Sequence, residues 1–137
     1  AAMMGAVAFQ KDLGAAHSLS HSLSAVSHVP HGLANAICIV PVMKFNRAVC
    51  LDEYARVAAA FGINTFGMTK EEAADRAIEA VADLNKRIGI PETLSAAGVK
   101  EEDLEELADK AFMDGCHATN PKTCTREDLM ALYREAF

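Results

Sequence analysis

The sequence predicts an all-α protein, a helical bundle of about six helices. Apolar residues recur three and four positions apart in several separate segments, which is the spacing of one helix face. No segment shows sustained alternation of apolar and polar residues with the β-branched content of a strand. Capping signals, Gly and Pro lie between the apolar segments. We therefore expect residues 1–137 to form a single helical domain.

The first predicted helix covers residues 1 to about 20, which are rich in Ala, Met and Leu and contain no Pro. Its N-terminal half is apolar around the circumference, without a cap or a polar lead-in, and such a helix is normally buried. We therefore expect the chain to start inside a larger protein. Alone, it would expose an apolar patch that drives association. The residues of that patch are Met3, Met4, Val7 and Phe9.

The second predicted helix begins near Pro30, because the missing N–H of Pro costs nothing in a first helical turn. It continues through Leu33, Ile37 and Val40. Pro41 is expected to kink or end it, because Pro cannot donate the hydrogen bond to the preceding turn.

Four further helices are predicted, and three of them have a recognisable end. Gly62 is expected to end the third. Thr69 and Glu72 form a capping box at the start of the fourth, and Thr125 with Asp128 marks the start of the sixth. The predicted core faces of the third to sixth helices are, in that order, Leu51, Tyr54, Ala55, Ala58 and Phe61; Ala73, Ala74, Ala77, Ile78, Val81, Leu84 and Ile88; Leu104, Leu107, Ala108, Ala111 and Phe112; and Leu129, Leu132 and Tyr133.

Composition and charge exclude several classes of function. The net charge is −6, from 13 Lys and Arg against 19 Asp and Glu, and no basic cluster occurs, so we expect no nucleic-acid partner. The longest apolar run, residues 33–43, is well short of the roughly 20 residues that span a bilayer, so we expect no membrane insertion. The 4 cysteines include no CxxC pair, which argues against a zinc knuckle. We expect free thiols and a cytoplasmic location.

Histidines are concentrated in one short segment. His17, His21, His28 and His31 are 4 of the 5 histidines in the chain. His17 and His21 are four positions apart and share a helix face, and a turn before His31 can bring that residue back beside His17. Neutral imidazole suits divalent iron and zinc. An isolated HxxxH pair is more often structural, but a third histidine beside a Pro-His-Gly turn favours a metal site. The serines between these histidines form a polar patch next to an apolar helix, which usually has a functional reason; the alternative is a serine-rich surface loop.

Two longer motifs carry a resemblance to a known family. The segments 14–21, GAAHSLSH, and 29–36, VPHGLANA, resemble the iron-containing (group III) alcohol dehydrogenases. The lead-in 5–11 is similar as well, and so is the tail that contains Cys116, Asn120-Pro121-Lys122 and residues 125–129. Asp12 stands where that family often has Gly, and Ser22 where it often has Pro.

The resemblance implies a two-domain enzyme in which this chain is the C-terminal helical domain. In that family an N-terminal α/β domain binds the nicotinamide cofactor, NAD or NADP, and one Fe²⁺ (or Zn²⁺) is held by an Asp and three His. His17 and His31 match two of those metal ligands, and the other two would lie upstream of Ala1. His21 matches a histidine linked to proton transfer. Cys116 matches a position that approaches the active site, and we expect it to contribute to cofactor binding.

Two functions follow as expectations. The first is a metal-dependent alcohol dehydrogenase or aldehyde reductase that acts on small alcohols and aldehydes. The isolated chain would be inactive, and it would form a homo-oligomer or associate with the missing N-terminal half. The alternative is a stand-alone metal-binding or protein-interaction module that uses His17, His21, His28 and His31 as a local four-histidine site.

Overall fold

The computed structural model describes residues 2–10 and 12–137, and all regular secondary structure in these ranges is helical. This confirms the predicted fold class, with seven α-helices where about six were expected. The helices are α1 (Ala2–Phe9), α2 (Ala15–Val26), α3 (His31–Asn46), α4 (Leu51–Ala60), α5 (Lys70–Arg87), α6 (Leu104–Met113) and α7 (Arg126–Ala136). Short 3-10 turns cover Arg47–Val49, Glu101–Asp103 and Gly115–Thr119.

The additional helix arises because the predicted first helix is divided in two. Asp12 has a φ of +64°, a left-handed conformation that is uncommon for residues other than Gly and cannot continue a helix. This is the position at which the resembling family often has Gly, and Asp is among the side chains that tolerate it best. The prediction of one helix to about residue 20 was therefore wrong, and α2 begins afresh after the extended residue Gly14.

Pro41 does not end its helix, although the sequence allowed that outcome. The helix α3 continues to Asn46 with Pro41 buried in its interior. Pro41 removes one hydrogen bond from the ladder of this helix. In the turn before it, the Asn85 amide of α5 donates to the Ala36 carbonyl at 2.6 Å, a tertiary contact to that weakened stretch of α3.

The core lies between α2, α3, α6 and α7. Its largest fully buried side chains include Leu19, Leu23, Leu107, Leu129 and Tyr133. The Tyr133 hydroxyl donates to the Leu19 carbonyl at 2.8 Å, so the one polar atom on that ring is satisfied inside the core. The helices α4 and α5 pack against one another, and α5 joins this pair to α3.

Some residues predicted to face the core lie at the surface. Phe61, Leu84 and Phe112 are each more than a third exposed, and Ile88 is 62% exposed. The Phe112 ring stacks instead on the imidazole of His117, with 5.3 Å between ring centroids. Helical spacing identified the buried face of these helices, but not which residues of that face are covered.

The large apolar side chains of α1 that the structure describes are exposed. The exposed fractions of Met3, Met4 and Val7 are 82%, 75% and 61%. The fourth residue of the predicted patch, Phe9, has a side chain outside the described part of the chain. No helix among the described residues is both long enough and apolar enough to cross a bilayer.

A buried pair of amides connects three distant segments. Asn120 donates to Asn46 Oδ1 at 2.7 Å, and Asn46 donates back to Asn120 Oδ1 at 3.0 Å. The same Asn120 oxygen accepts the N–H of Ala15 at 3.2 Å, and its amide also donates to the Lys122 carbonyl at 2.7 Å. This amide clamp of Asn46 and Asn120 therefore binds the start of α2, the end of α3 and the loop before α7.

Asn120→Ala should lower the free energy of unfolding by about 2–4 kcal/mol, because it leaves the buried Asn46 amide and the Ala15 N–H without partners. Urea denaturation followed by circular dichroism measures the change. Asn64→Ala is the matched control, because the exposed Asn64 side chain accepts a single local hydrogen bond, from the Phe66 N–H at 3.0 Å. Equal effects of the two substitutions would show that the amide clamp is not a major source of stability.

A candidate metal and proton-transfer site

Three histidine rings meet where α2 and α3 come together. His17 and His21 lie one turn apart on α2, and His31 is the first residue of α3. The ring centroids are 5.7 Å apart for His17 and His21, 5.3 Å for His17 and His31, and 5.2 Å for His21 and His31. The predicted juxtaposition of His17 with His31 is thus present, and His21 lies beside both.

His28 does not join this cluster. It lies in the turn between the two helices with a φ of +55°, its side chain is exposed, and none of the ring contacts among the described histidines involves it. That turn is held by the Ser24 hydroxyl, which donates to the Val29 carbonyl at 2.9 Å. The four-histidine site of the alternative hypothesis therefore lacks its fourth member.

Polar groups lie at both nitrogens of the His31 ring. The Ser20 hydroxyl is 3.3 Å from His31 Nδ1 and 3.2 Å from the His17 carbonyl. The Asn35 amide lies 3.0 Å from His31 Nε2 at an exposed position. Ser20 thus orients the ring in the way that hydrogen bonds orient a metal ligand, and an exposed side chain covers Nε2.

His17 is favoured in its neutral form. Partial burial lowers the pKa of His17, and the neighbouring His31 and His21 lower it further, while Asp114 acts in the opposite direction. A neutral imidazole presents a lone pair without first losing a proton, as metal binding requires.

His21 is held by a carboxylate from a distant part of the chain. Its Nδ1–H donates to Asp114 Oδ2 at 2.8 Å, and the two side chains are 41% and 23% exposed. This bond leaves Nε2 of His21 as the nitrogen that can accept or release a proton. Burial acts to raise the pKa of Asp114, but hydrogen bonds from Cys116, His21 and Ser18 outweigh burial and hold that pKa far below its usual value.

Ser18 anchors Asp114 to α2. The buried Ser18 hydroxyl donates to Asp114 Oδ1 at 3.0 Å and accepts the His117 N–H at 2.9 Å. The Cys116 N–H donates to the same carboxylate oxygen at 2.9 Å. Sequence reasoning missed Asp114 and assigned Ser18 only to a polar patch. The available signal was Asp114 two residues before Cys116, a spacing at which an Asp side chain commonly accepts a backbone N–H.

Cys116 lies in the same group of side chains. Its sulfur, a carboxylate oxygen of Asp114 and a ring nitrogen of His21 are all within 4.8 Å of one another. Partial burial raises the pKa of the Cys116 thiol to about 11. The hydrogen bond to Asp114 and the negative charge of Asp114 raise this pKa as well. In this environment Cys116 carries its proton at neutral pH.

Comparison with known proteins gives the family. A sequence model of a protein family, described as "Fe-containing alcohol dehydrogenase family, C-terminal", matches residues 1–137. The chain belongs to the iron-containing alcohol dehydrogenase family. The lactaldehyde reductase of Escherichia coli strain K12 is 41% identical over 125 residues, covering 91% of this chain and 33% of that protein. The NAD-dependent methanol dehydrogenase of Bacillus methanolicus is 38% identical over 134 residues, covering 97% of this chain and 35% of that protein.

A solved structure supports the same assignment. The crystal structure of a 1,3-propanediol oxidoreductase matches this chain with a TM-score of 0.88 and 35% sequence identity. The match covers 91% of this chain and 33% of the oxidoreductase chain. The chain therefore spans about a third of the length of the family members that it matches. The resemblance drawn from the His and Gly-Leu-Ala-Asn-Ala motifs is confirmed at the level of the family.

The donor chemistry of this site fits the metal of an iron-containing alcohol dehydrogenase. His17 is biased towards its neutral form, and one ring nitrogen of His31 lies 3.3 Å from the Ser20 hydroxyl. Imidazole nitrogens are common ligands of divalent iron and zinc. The roles assigned to His17, His31, His21 and Cys116 are tested by none of the comparisons and stay predictions.

Cys116 should react slowly with iodoacetamide at neutral pH, because only the thiolate is alkylated and the raised pKa of about 11 keeps the sulfur protonated. The rate should increase about tenfold per pH unit towards that pKa. Asp114→Asn removes the negative charge and should accelerate the reaction at neutral pH. Mass spectrometry of the labelled peptide measures the rate.

Cys116→Ser is the control for the site of labelling, because Cys38, Cys50 and Cys124 are buried. A labelling rate that is already constant between pH 8 and 9 would contradict the raised pKa.

Proposed function

We propose that this chain is the helical part of a metal-dependent alcohol dehydrogenase or aldehyde reductase, with residues 1–137 as one domain. The observation that carries the proposal is the meeting of three imidazoles, with His17 and His31 side by side next to His21, which Asp114 holds. His17 and His31 would be two of the ligands of Fe²⁺ or Zn²⁺. The remaining ligands would come from outside this chain, because catalytic metal sites commonly have three or more protein ligands.

The proposed cofactors are that metal and NAD or NADP. When bound, the metal supplies polarisation of the alcohol or carbonyl oxygen, and the nicotinamide supplies or accepts the hydride. The NAD dependence printed for the Bacillus methanolicus relative supports the second cofactor. We propose that a part of the enzyme outside this chain binds most of the nicotinamide dinucleotide.

The proposed role of His21 is to exchange the proton of the substrate hydroxyl with solvent. Its Nδ1–H is committed to Asp114, so the exchanging atom is Nε2. The side chain of His21 is 41% exposed, which leaves a route from the ring to water. Asp114 would be a positioning residue: it holds the His21 ring and its tautomer, and it is held in turn by Ser18.

Cys116 is proposed to contact the nicotinamide part of the cofactor. Its thiol is neutral at physiological pH, so it offers a small apolar surface next to His21. The substrate class proposed is that of small alcohols and aldehydes, by analogy with the names of the relatives.

A chimera tests these roles. This chain would replace the C-terminal third of the Escherichia coli lactaldehyde reductase, the part that it matches. The chimera should bind iron and reduce lactaldehyde with a reduced nicotinamide, whereas the isolated chain should show no turnover. His31→Ala should abolish both bound iron and activity. His21→Ala should retain the iron and lower kcat by about 100-fold or more, the scale of general acid–base catalysis. Metal content is measured by elemental analysis.

His28→Ala is the matched control, because His28 is an exposed histidine of the same segment that lies outside the cluster. It should leave both iron and kcat unchanged. Loss of iron in His28→Ala or in His21→Ala would contradict the assignment of His17 and His31 as the ligands from this chain.

The partner proposed for α1 is a second copy of the chain or the missing α/β half. Alone at micromolar concentration, the chain should sediment as an oligomer, since Met3, Met4 and Val7 form an exposed apolar surface. Met4→Glu with Val7→Glu should shift it towards the monomer in analytical ultracentrifugation. Phe66→Glu is the control, because Phe66 is 94% exposed on a different segment. This substitution should leave the sedimentation of the chain unchanged. A monodisperse unmodified monomer would refute this partner proposal.

The proposal also includes a cytoplasmic location. Its support is that Cys38, Cys50, Cys116 and Cys124 are all free thiols, as is usual in reducing compartments.

A further inference from the structure

The His21, Asp114 and Cys116 side chains form a group of metal donors beside the His17–His31 pair. His21 comes from α2, and the other two come from the Asp114–Thr119 segment more than 90 residues later. One ligand atom from each lies within 4.8 Å of the other two. The group therefore combines an imidazole nitrogen, a carboxylate oxygen and a sulfur, all held by the packing of α2 on this segment.

We propose that His21, Asp114 and Cys116 form a second metal site that binds Zn²⁺ or a similar thiophilic divalent cation. The site is distinct from the pair His17 and His31, and its ligands are one nitrogen, one oxygen and one sulfur atom. The inference does not rest on the proposed dehydrogenase activity, because it concerns donors within this chain alone.

The donor set matches zinc in type. Zinc is bound by His, Asp and Cys at about 2.0–2.3 Å, which puts neighbouring ligand atoms of a tetrahedral site about 3.6 Å apart. One ligand atom from each of the three side chains lies within 4.8 Å of the other two. His21 Nδ1 and Asp114 Oδ2 are 2.8 Å apart in their hydrogen bond, so a cation between them requires these two atoms to separate. The partly exposed His21 and Asp114 side chains would leave the fourth position to water.

The charges and protons of the site balance around a divalent cation. The cation takes the place of the proton between His21 Nδ1 and Asp114 Oδ2, and the imidazole proton moves to Nε2. The Cys116 thiol releases its proton to solvent. One carboxylate and one thiolate then neutralise the two positive charges. The Asp114 charge that disfavours a bare thiolate in the free site instead attracts the cation.

The carboxylate is pre-oriented for this role by its neighbours. Ser18 and the Cys116 N–H both donate to Asp114 Oδ1 and leave Oδ2 directed at His21. Such contacts orient a ligand before the metal arrives. A cation bound here would occupy His21 and so block the proton exchange proposed for that residue.

Cobalt titration of the metal-free 137-residue chain tests the site. Co²⁺ should produce a near-ultraviolet band of thiolate-to-cobalt charge transfer, which one equivalent of Zn²⁺ removes. Cys116→Ser should abolish the band and weaken zinc binding by at least about 100-fold, since loss of a second-shell group alone costs 10–100-fold. Cys124→Ser is the matched control. The Cys124 thiol already donates to the Lys122 carbonyl at 3.4 Å, a bond that a Ser hydroxyl can make, and this variant should keep the band.

A second measurement needs no substitution. Zn²⁺ should slow alkylation of Cys116 in the unmodified chain by at least tenfold, and a chelator should reverse this. His31→Ala should retain the charge-transfer band. Cobalt binding without a thiolate band, zinc affinity unchanged in Cys116→Ser, or zinc binding that depends on His31 and not on Cys116 would each overturn the proposal. Absence of protection from alkylation would overturn it as well.

Discussion

The amide clamp between Asn46 and Asn120 is the contact on which the geometry of the site depends. The first turn of α2 has no side-chain cap of its own, since Gly14 precedes it. Asn120 supplies the missing acceptor to Ala15 from 105 residues away. A Cβ on Gly14 would lie 3.1 Å from that same oxygen, so Gly at this position allows the close approach. The start of α2, which carries His17, is thus tied to the segment that carries Asp114.

Asp114 is the second long-range constraint, and it differs from the clamp in being charged. A carboxylate that is partly buried loses solvation, and it is kept ionised only because hydrogen-bond donors surround it. Those donors come from α2 through Ser18 and His21, and from its own turn through Cys116. The same contacts that stabilise the charge therefore hold the ring of His21. Stability and function at this site share one set of hydrogen bonds, and a change that weakens one weakens the other.

The parts of the site that the sequence predicted are those that local spacing determines. His17 and His21 share a face because they are four residues apart on one helix, and the short turn through Pro30 returns His31 to them. Asp114 and Asn120 could not be found in this way, because their partners are 93 and 105 residues distant and no periodicity relates them. The break at Asp12 was missed because the composition of residues 1–20 favours a continuous helix, and a single left-handed residue leaves no periodic signal. Capping boxes at Thr69 and Thr125 are local, and both are present as predicted.

The His17–His31 pair and the group around Asp114 differ in the charge that they offer a metal ion. His17 and His31 contact other imidazoles and the Ser20 hydroxyl, and an imidazole has no negative charge to offer a cation. Tight binding there needs further ligands from elsewhere, such as the Asp of the family's ligand set. The group around Asp114 already has its carboxylate, and it gains a second negative charge when Cys116 ionises. His21 lies between the two groups. Its ring stacks on His31 on one side and is hydrogen-bonded to Asp114 on the other.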